Sequence, residues 1–510
     1  MRTVFVVFDS LNRHMLGCYG GTAVPTPNFD RLAARGVTFD NHRVGSLPCM
    51  PARRDMMSGR LSFLHRSWGP LEPFDNAFPE ILAEKAGVYS HLITDHFHYF
   101  EDGGATYHNR YDSWELARGQ EGDRWQAVVA PDWAGLKERY HPRQFSDRRR
   151  NYAAQNIINR EFITEDEDYP AFQCFSRGLE FLERNRDADD WLLQIETFDP
   201  HEPFTTPARF KAPFRTGWNG PVRDWPQYGR VDELPEEAAE LRASYFAIVS
   251  MCDELLGKLL DHFDAHDLWK DTALVVTTDH GFLLGEHDFW AKNRMTVYEE
   301  LAHIPLFLHH PAHPERAGTR SASLTQTIDL APTFLDLYDV PPAPEMQGFS
   351  LLGMCQGEQR RVAAIYGFFG GAVNVTDGRY TLHVYPPDLK TQEIYQYTVM
   401  PTHIFKMFSV EELSQASLSD GFGFTKGVKL LKVPVNERSP FYNVYGPGCL
   451  LEDETQLFDL ETDPGQAHSL DDPATEARLR ELMAGLMRAN EAPPEAFVRL
   501  QMPVDAGVQA

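Results

Sequence analysis

Short runs of β-branched and aromatic residues alternate with longer segments of helical period along the first 360 residues. That is the pattern of an α/β domain built on a mostly parallel sheet. Residues 4–8, 90–94, 191–197, 273–278 and 304–309 are the predicted strands. Phe29, Leu32, Ala33 and Val37 recur at three-to-four spacing behind Thr26-Pro27-Asn28, which predicts a helix opened by the proline. A long amphipathic helix is predicted over residues 237–264, with Leu241, Tyr245, Ile248, Leu255 and Leu259 on one face. Near residue 360 the texture changes. Residues 363–369 and 379–385 predict antiparallel strands, the second entered through the turn Asp377-Gly378. Residues 386–449 are poorly periodic and rich in Pro, Gly and aromatics, and read as an insertion or interface loop. Residues 476–490 predict a terminal helix with Leu479, Leu482, Met483 and Leu486 on one side.

The expected organisation is an α/β domain over residues 1–360, a large mostly parallel sheet sandwiched by helices. A smaller C-terminal α+β subdomain over residues 361–510 contains an antiparallel sheet, the insertion and the terminal helix.

Four predicted strands run into side chains capable of chemistry: 4–8 into Asp9, 90–94 into Asp95-His96, 191–197 into Asp199 and His201, and 273–278 into Asp279-His280. One aspartate after a strand is an ordinary turn or cap residue. Four together would gather at the carboxyl edge of a parallel sheet, where ligands bind.

Composition adds limits. With 34 Phe, 19 Tyr and 9 Trp the chain has ample apolar surface for a core, which excludes full disorder. A net charge of −26, from 48 basic and 74 acidic residues, argues against nucleic acid or an anionic membrane as main partner. An anionic substrate would then need local positive charge. Six scattered cysteines with no CxxC pair read as free thiols in a reducing compartment. The first residues carry too short an apolar run for a signal peptide, and no stretch is long enough to span a bilayer. A cytoplasmic protein is expected.

The sharpest local signal is residues 45–59. Pro51 just inside a helix start places Cys49 at its N-terminus, where free N–H groups and the dipole attract an anion. Arg53 lies one turn further on the same face and can reach back toward Cys49.

With Cys49-Met50-Pro51-Ala52-Arg53 in view, the chain resembles the sulfatase family of the alkaline phosphatase superfamily over nearly its whole length. Further matching blocks are Thr26 to Ala33, Thr278-Asp279-His280-Gly281, Gly285-Glu286-His287 with Lys292, Asp329 to Leu337, and Leu457 to Gly465. The resemblance implies that a separate maturation enzyme oxidises Cys49 to formylglycine, whose aldehyde hydrate is a geminal diol. One hydroxyl attacks sulfur and expels the alcohol, and deprotonation of the other then releases sulfate. Asp9, Asp279, His280 and residue 49 match the positions that hold one divalent metal ion. Lys292 matches the lysine that contacts the anion, and His201 the histidine near the leaving oxygen. His98 keeps the histidine of a Lys-x-His element whose lysine is replaced here by His96. Asp95, Tyr99 and His287 are expected as structural pocket lining.

Two departures bear on chemistry. Asp9 is followed by Ser10 where the family commonly has a second aspartate, and Asp279 is followed by His280 where many members have Asn. One carboxylate fewer and one imidazole more make a softer site, open to Mn²⁺ as well as Ca²⁺. Phosphonate monoester hydrolases of the same family share both features. The function expected is hydrolysis of small or aryl sulfate monoesters, with a phosphonate monoester or phosphodiester hydrolase as the alternative. The expected partners are a small anionic ester and the maturation enzyme, with self-association left open.

Overall fold

The computed structural model describes residues 1–439 and 442–504. Among the described residues, eight strands form one sheet in the order Arg320–Gln326, Val37–Arg43, Leu306–His309, Thr272–Thr278, Arg2–Phe8, Trp191–Thr197, Tyr89–Thr94 and Ser113–Leu116. Leu306–His309 runs antiparallel to both its neighbours, and the other pairs are parallel. The α/β reading therefore holds.

Alternation along Arg2–Phe8 explains the sandwich. Val4, Val6 and Phe8 pack on one face with the 31-residue helix Pro235–Ala265 and the helix Pro170–Arg184. Phe5 and Val7 pack on the other with the helices Phe78–Ala86 and Leu330–Leu337. A central strand buried on both faces needs an unbroken apolar run, and Val4, Phe5, Val6, Val7 and Phe8 supply it after Arg2 and Thr3 at the strand's start. Each such fully buried side chain stabilises by roughly 1.5–3 kcal/mol.

The C-terminal region carries a second sheet, with Gln456–Asp459, Tyr380–Val384, Val373–Thr376 and Ala364–Phe368 antiparallel in that order. Ser46–Leu47 joins its edge in parallel and so ties the segment just before Cys49 to this region. The helix Pro473–Ala489 covers the sheet through Leu479, Met483 and Met487. Within residues 386–449, Tyr395–Thr398, Leu430–Pro434 and Ser417–Ser419 form a small antiparallel sheet. Among the described residues no helix is long and apolar enough to cross a membrane, and the cysteines are free thiols.

Candidate active site

Sheet register brings the chemistry to one edge. Phe8 lies opposite Thr197 on one side and Thr278 on the other, and Thr94 lies opposite Glu196. Asp9, Asp95, Asp199 and Asp279 therefore leave the sheet at nearly one level. They then diverge. Asp95 accepts a hydrogen bond from the Phe198 N–H at 2.6 Å, and Asp199 accepts one from the Gln120 amide at 2.7 Å, so both tie loops together. Asp9 and Asp279 face Cys49.

Cys49 begins the helix Cys49–Ser58, every residue of which is buried. Gly59 ends that helix in the left-handed region at φ 65°, its N–H bonded to the Asp55 carbonyl at 2.9 Å. One donor atom from each of Asp9, Cys49, Asp279 and His280 lies within 4.8 Å of all the others. Cys49 Sγ is 3.3 Å from His280 Nε2, 3.4 Å from Lys292 Nζ and 3.9 Å from Asp9 Oδ1. His280 Nδ1 sits 2.8 Å from the Gly281 carbonyl, which assigns its proton to Nδ1 and leaves the Nε2 lone pair facing the cluster. Burial pushes this imidazole's pKa down, toward the neutral form that ligates metals. Burial, then the Asp9 charge, pushes the Cys49 thiol well above its ordinary range.

Arg53 organises the carboxylates. Its Nε is 2.7 Å from Glu196, Nη1 is 2.7 Å from Asp279 and Nη2 is 2.9 Å from Asp9, all of them buried. Nη1 also donates to the Cys49 carbonyl at 3.1 Å, the reach-back expected from the spacing. Burial alone would raise the Asp9 pKa, but Arg53 and Lys292 hold it well below the usual carboxylate range. Lys292 donates to Ser10 Oγ at 2.8 Å, and Ser10 Oγ donates to Asp9 Oδ1 at 2.7 Å. The Ser10 N–H reaches Asp279 Oδ1 at 3.0 Å. Ser10 thus fills the place of a second aspartate with two hydrogen bonds that link the Asp9 and Asp279 carboxylates.

His96 Nε2 stands 3.5 Å from Asp9 Oδ2, and neither ring nitrogen has a hydrogen-bond partner. His98 Nδ1 pairs with Glu101 at 2.7 Å. His201 Nδ1 is 2.6 Å from the Glu202 carbonyl, which places its proton there and leaves Nε2 unengaged. Tyr99 donates to Glu196 at 3.0 Å. His287 stacks on Tyr298 at 3.6 Å and meets Glu300 at 3.2 Å, so its contacts belong to packing. Sequence reasoning passed over Glu196. The available signal was one acidic residue inside an otherwise buried strand, since carboxylates are almost never fully buried without a partner.

The donor set fits a divalent cation. Two carboxylates and a neutral imidazole converge, and the buried Asp9 Oδ2 accepts no well-formed hydrogen bond although Arg53 and His96 stand near it. Hard oxygen donors with one nitrogen suit Mn²⁺ or Ca²⁺.

An open α/β sheet with this cluster at its carboxyl edge is the framework of an ester hydrolase of the alkaline phosphatase superfamily. Comparison with known proteins narrows the class. A model of the sulfatase family matches residues 2–340, about two thirds of the 510 residues, and the chain belongs to that family of sulfuric ester hydrolases. A second model, of the N-sulphoglucosamine sulphohydrolase C-terminal region, matches residues 285–418. The chain is 24% identical over 420 residues to N-acetylglucosamine-6-O-sulfatase of Bacteroides thetaiotaomicron, covering 72% of this chain and 74% of that protein. It is 25% identical over 391 residues to choline-sulfatase of Rhizobium meliloti, covering 70% and 72%. Among solved structures, phosphonate monoester hydrolase of Agrobacterium radiobacter superposes with a TM-score of 0.62 at 17% identity, covering 96% of this chain and 95% of that one. The fold is shared with it.

Proposed function

We propose that the protein hydrolyses sulfate monoesters, using residue 49 after its oxidation to formylglycine by a separate maturation enzyme. The observation that carries this reading is the convergence of Asp9, Asp279 and His280 on the side chain that begins a buried helix. Asp9, Asp279, His280 and residue 49 would hold one divalent ion, Mn²⁺ or Ca²⁺, which lowers the pKa of a nearby hydroxyl and offsets substrate charge. An aldehyde hydrate at residue 49 supplies two hydroxyls on one carbon, one to attack and one to drive release.

The remaining work falls to the chain's own side chains. Lys292, 3.4 Å from Cys49 Sγ and fully buried, is placed to bind the oxygens of an anion at residue 49. His201 presents an unengaged Nε2 for the leaving oxygen. Because its proton sits on Nδ1 and burial pushes its pKa well down, Nε2 takes up a proton once the anionic ester is bound and then passes it to the leaving oxygen. His98, fixed by Glu101, contacts the ester. Arg53 acts from beneath, holding Asp9, Asp279 and the Cys49 carbonyl in place.

Phosphonate monoester or phosphodiester hydrolysis is the second reading. It is favoured by Ser10 and His280 at the positions where the sulfatase pattern commonly has Asp and Asn. Each of these esters carries one negative charge, so the same cations serve. Matched aryl sulfate and aryl phosphonate monoesters decide: the first reading predicts higher kcat/KM on the sulfate, and a sulfate rate lower by orders of magnitude overturns it.

A further inference from the structure

Beyond Lys292, three glutamates converge on the residues around the nucleophile, and the mechanism uses none of them as an acid or base. Glu202 follows His201 in the chain. Its Oε1 accepts a hydrogen bond from Tyr228, while its buried Oε2 has no hydrogen-bond partner and lies 3.3 Å from a His201 Nδ1 already bonded to the Glu202 carbonyl. Glu101 Oε2 lies 2.7 Å from His98 Nδ1, and its Oε1 accepts a hydrogen bond from the Tyr152 hydroxyl at 3.0 Å. Glu121 lies 4.0 Å from His98 Nε2, its side chain only 14% exposed. Burial, then Glu202 and Glu101, pushes the Glu121 pKa well above the carboxylate range, which places the three in one electrostatic neighbourhood.

Aromatic rings border this group. Trp68 stacks on Tyr445 at 4.6 Å and on Phe405 at 5.2 Å, and His98 meets Trp68 edge-on at 5.5 Å. Tyr152 packs against Phe405 at 6.2 Å. The permanent cations hydrogen-bond other groups, Lys292 with Ser10 and Cys49 and Arg294 with the carbonyls of Asn293 and Val444, and Lys292 acts on Glu121 and Glu202 through its charge alone. A buried carboxylate oxygen without a hydrogen-bond partner, two glutamates beside the two ring nitrogens of His98, and aromatic rings alongside are a setting that a cation would stabilise. With an ester of a neutral alcohol, burial favours the protonated forms of Glu121 and Glu202; a cationic alcohol would favour their carboxylates and pair with them, and a second anionic group would be repelled by them.

Resting on the sulfate-ester reading, we propose that the alcohol half of the substrate carries an ammonium group, held by Glu101, Glu121 and Glu202 while Lys292 faces the sulfate. The substrate is then a zwitterion, an aminated alcohol sulfate, matched end to end by a cation-binding and an anion-binding wall.

Two esters of equal size and leaving-group type test this: 4-(aminomethyl)phenyl sulfate and 4-ethylphenyl sulfate, compared with matured, metal-loaded enzyme at pH 7. The proposal predicts a kcat/KM ratio of roughly 30-fold or more for the ammonium ester, the scale of a desolvated charge pair. Glu121→Gln and, separately, Glu101→Gln should narrow that ratio. Equal rates on the two esters overturn the ammonium site and leave the sulfate-ester reading standing. Turnover of neither would count against the sulfate-ester reading itself. Calorimetry with benzylammonium chloride and with benzyl alcohol then decides the site independently of turnover. Saturable binding of benzylammonium alone, weakened in Glu121→Gln, supports it, and no binding or equal binding of the two overturns it.

Discussion

Replacing Arg53 by methionine removes the one guanidinium whose nitrogens lie 2.7–2.9 Å from three fully buried carboxylates, Asp9, Glu196 and Asp279. Breaking one buried ion pair by deleting a partner costs about 3–5 kcal/mol, because the remaining charge is left in low dielectric. The three losses do not add, since the freed carboxylates will take up protons. The expected destabilisation of the metal-free protein is therefore about 4–6 kcal/mol. For a chain of this size that is a fall of roughly 5–10 °C in the unfolding midpoint, extrapolating from smaller domains. A divalent ion would compensate Asp9 and Asp279 but not Glu196. Adding Mn²⁺ or Ca²⁺ should thus raise the midpoint of the Arg53→Met protein by more than it raises the wild type, yet not restore it fully. Glu196→Leu placed on top of Arg53→Met should recover part of the loss, because the orphaned charge is gone. Differential scanning fluorimetry with chelator and with added metal reads all four combinations. A midpoint for Arg53→Met within about 1 °C of wild type under chelation would refute the claim that this guanidinium neutralises the carboxylate cluster.

Other consequences are open to simpler assays. Cys49→Ala should abolish turnover while the circular dichroism spectrum stays that of the wild type, because the side chain removed is small and sits at the site. His201→Ala should lower kcat/KM on esters with poor leaving groups by roughly 10²–10⁴-fold and on activated aryl esters far less, and equal losses would remove the acid role. Glu299 is buried and paired with Arg43 and His303. Burial opposes its ionisation, but Arg43 and His303 outweigh that and bring its pKa down to about 2. A depressed carboxylate contributes stability that is present above the unfolded value near 4.5 and is lost as pH falls toward 2, a term of about 3 kcal/mol. His303, pushed down to about 4 by burial and Arg43, acts in the same direction between pH 6.5 and 4. Stability curves for wild type and Glu299→Gln should therefore converge as pH falls through that lower window, and parallel curves would contradict the assignment.

Much of the sheet was legible because its central strands are apolar on both faces, so short β-branched runs ending in Asp stand out. Register was not legible: that Phe8, Thr197 and Thr278 lie level follows only from the pairings. Polar strands escaped the pattern. Val37–Arg43 and Arg320–Gln326 carry His42, Arg43, Thr325 and Gln326 to the interior, where distant partners hold them: His42 Nδ1 pairs with Thr325, and the Gln326 amide N–H groups bond the Val44 and Ile365 carbonyls. Local periodicity reads such residues as exposed. The same reason hides half the site. Cys49, Arg53 and Asp279-His280 sit in compact blocks, whereas Glu101, Glu121 and Glu202 come to His98 and His201 from separate segments of the chain. Glu196 has meaning only once Arg53 is seen beside it.

A crystal grown in Mn²⁺ and measured at the manganese absorption edge tests the central claim most directly. The account predicts one strong anomalous peak between the carboxylates of Asp9 and Asp279, the Nε2 of His280 and the side chain of residue 49, at ligand distances of about 2.0–2.4 Å. A map without that peak at saturating Mn²⁺, or with manganese bound only at other residues, would contradict it.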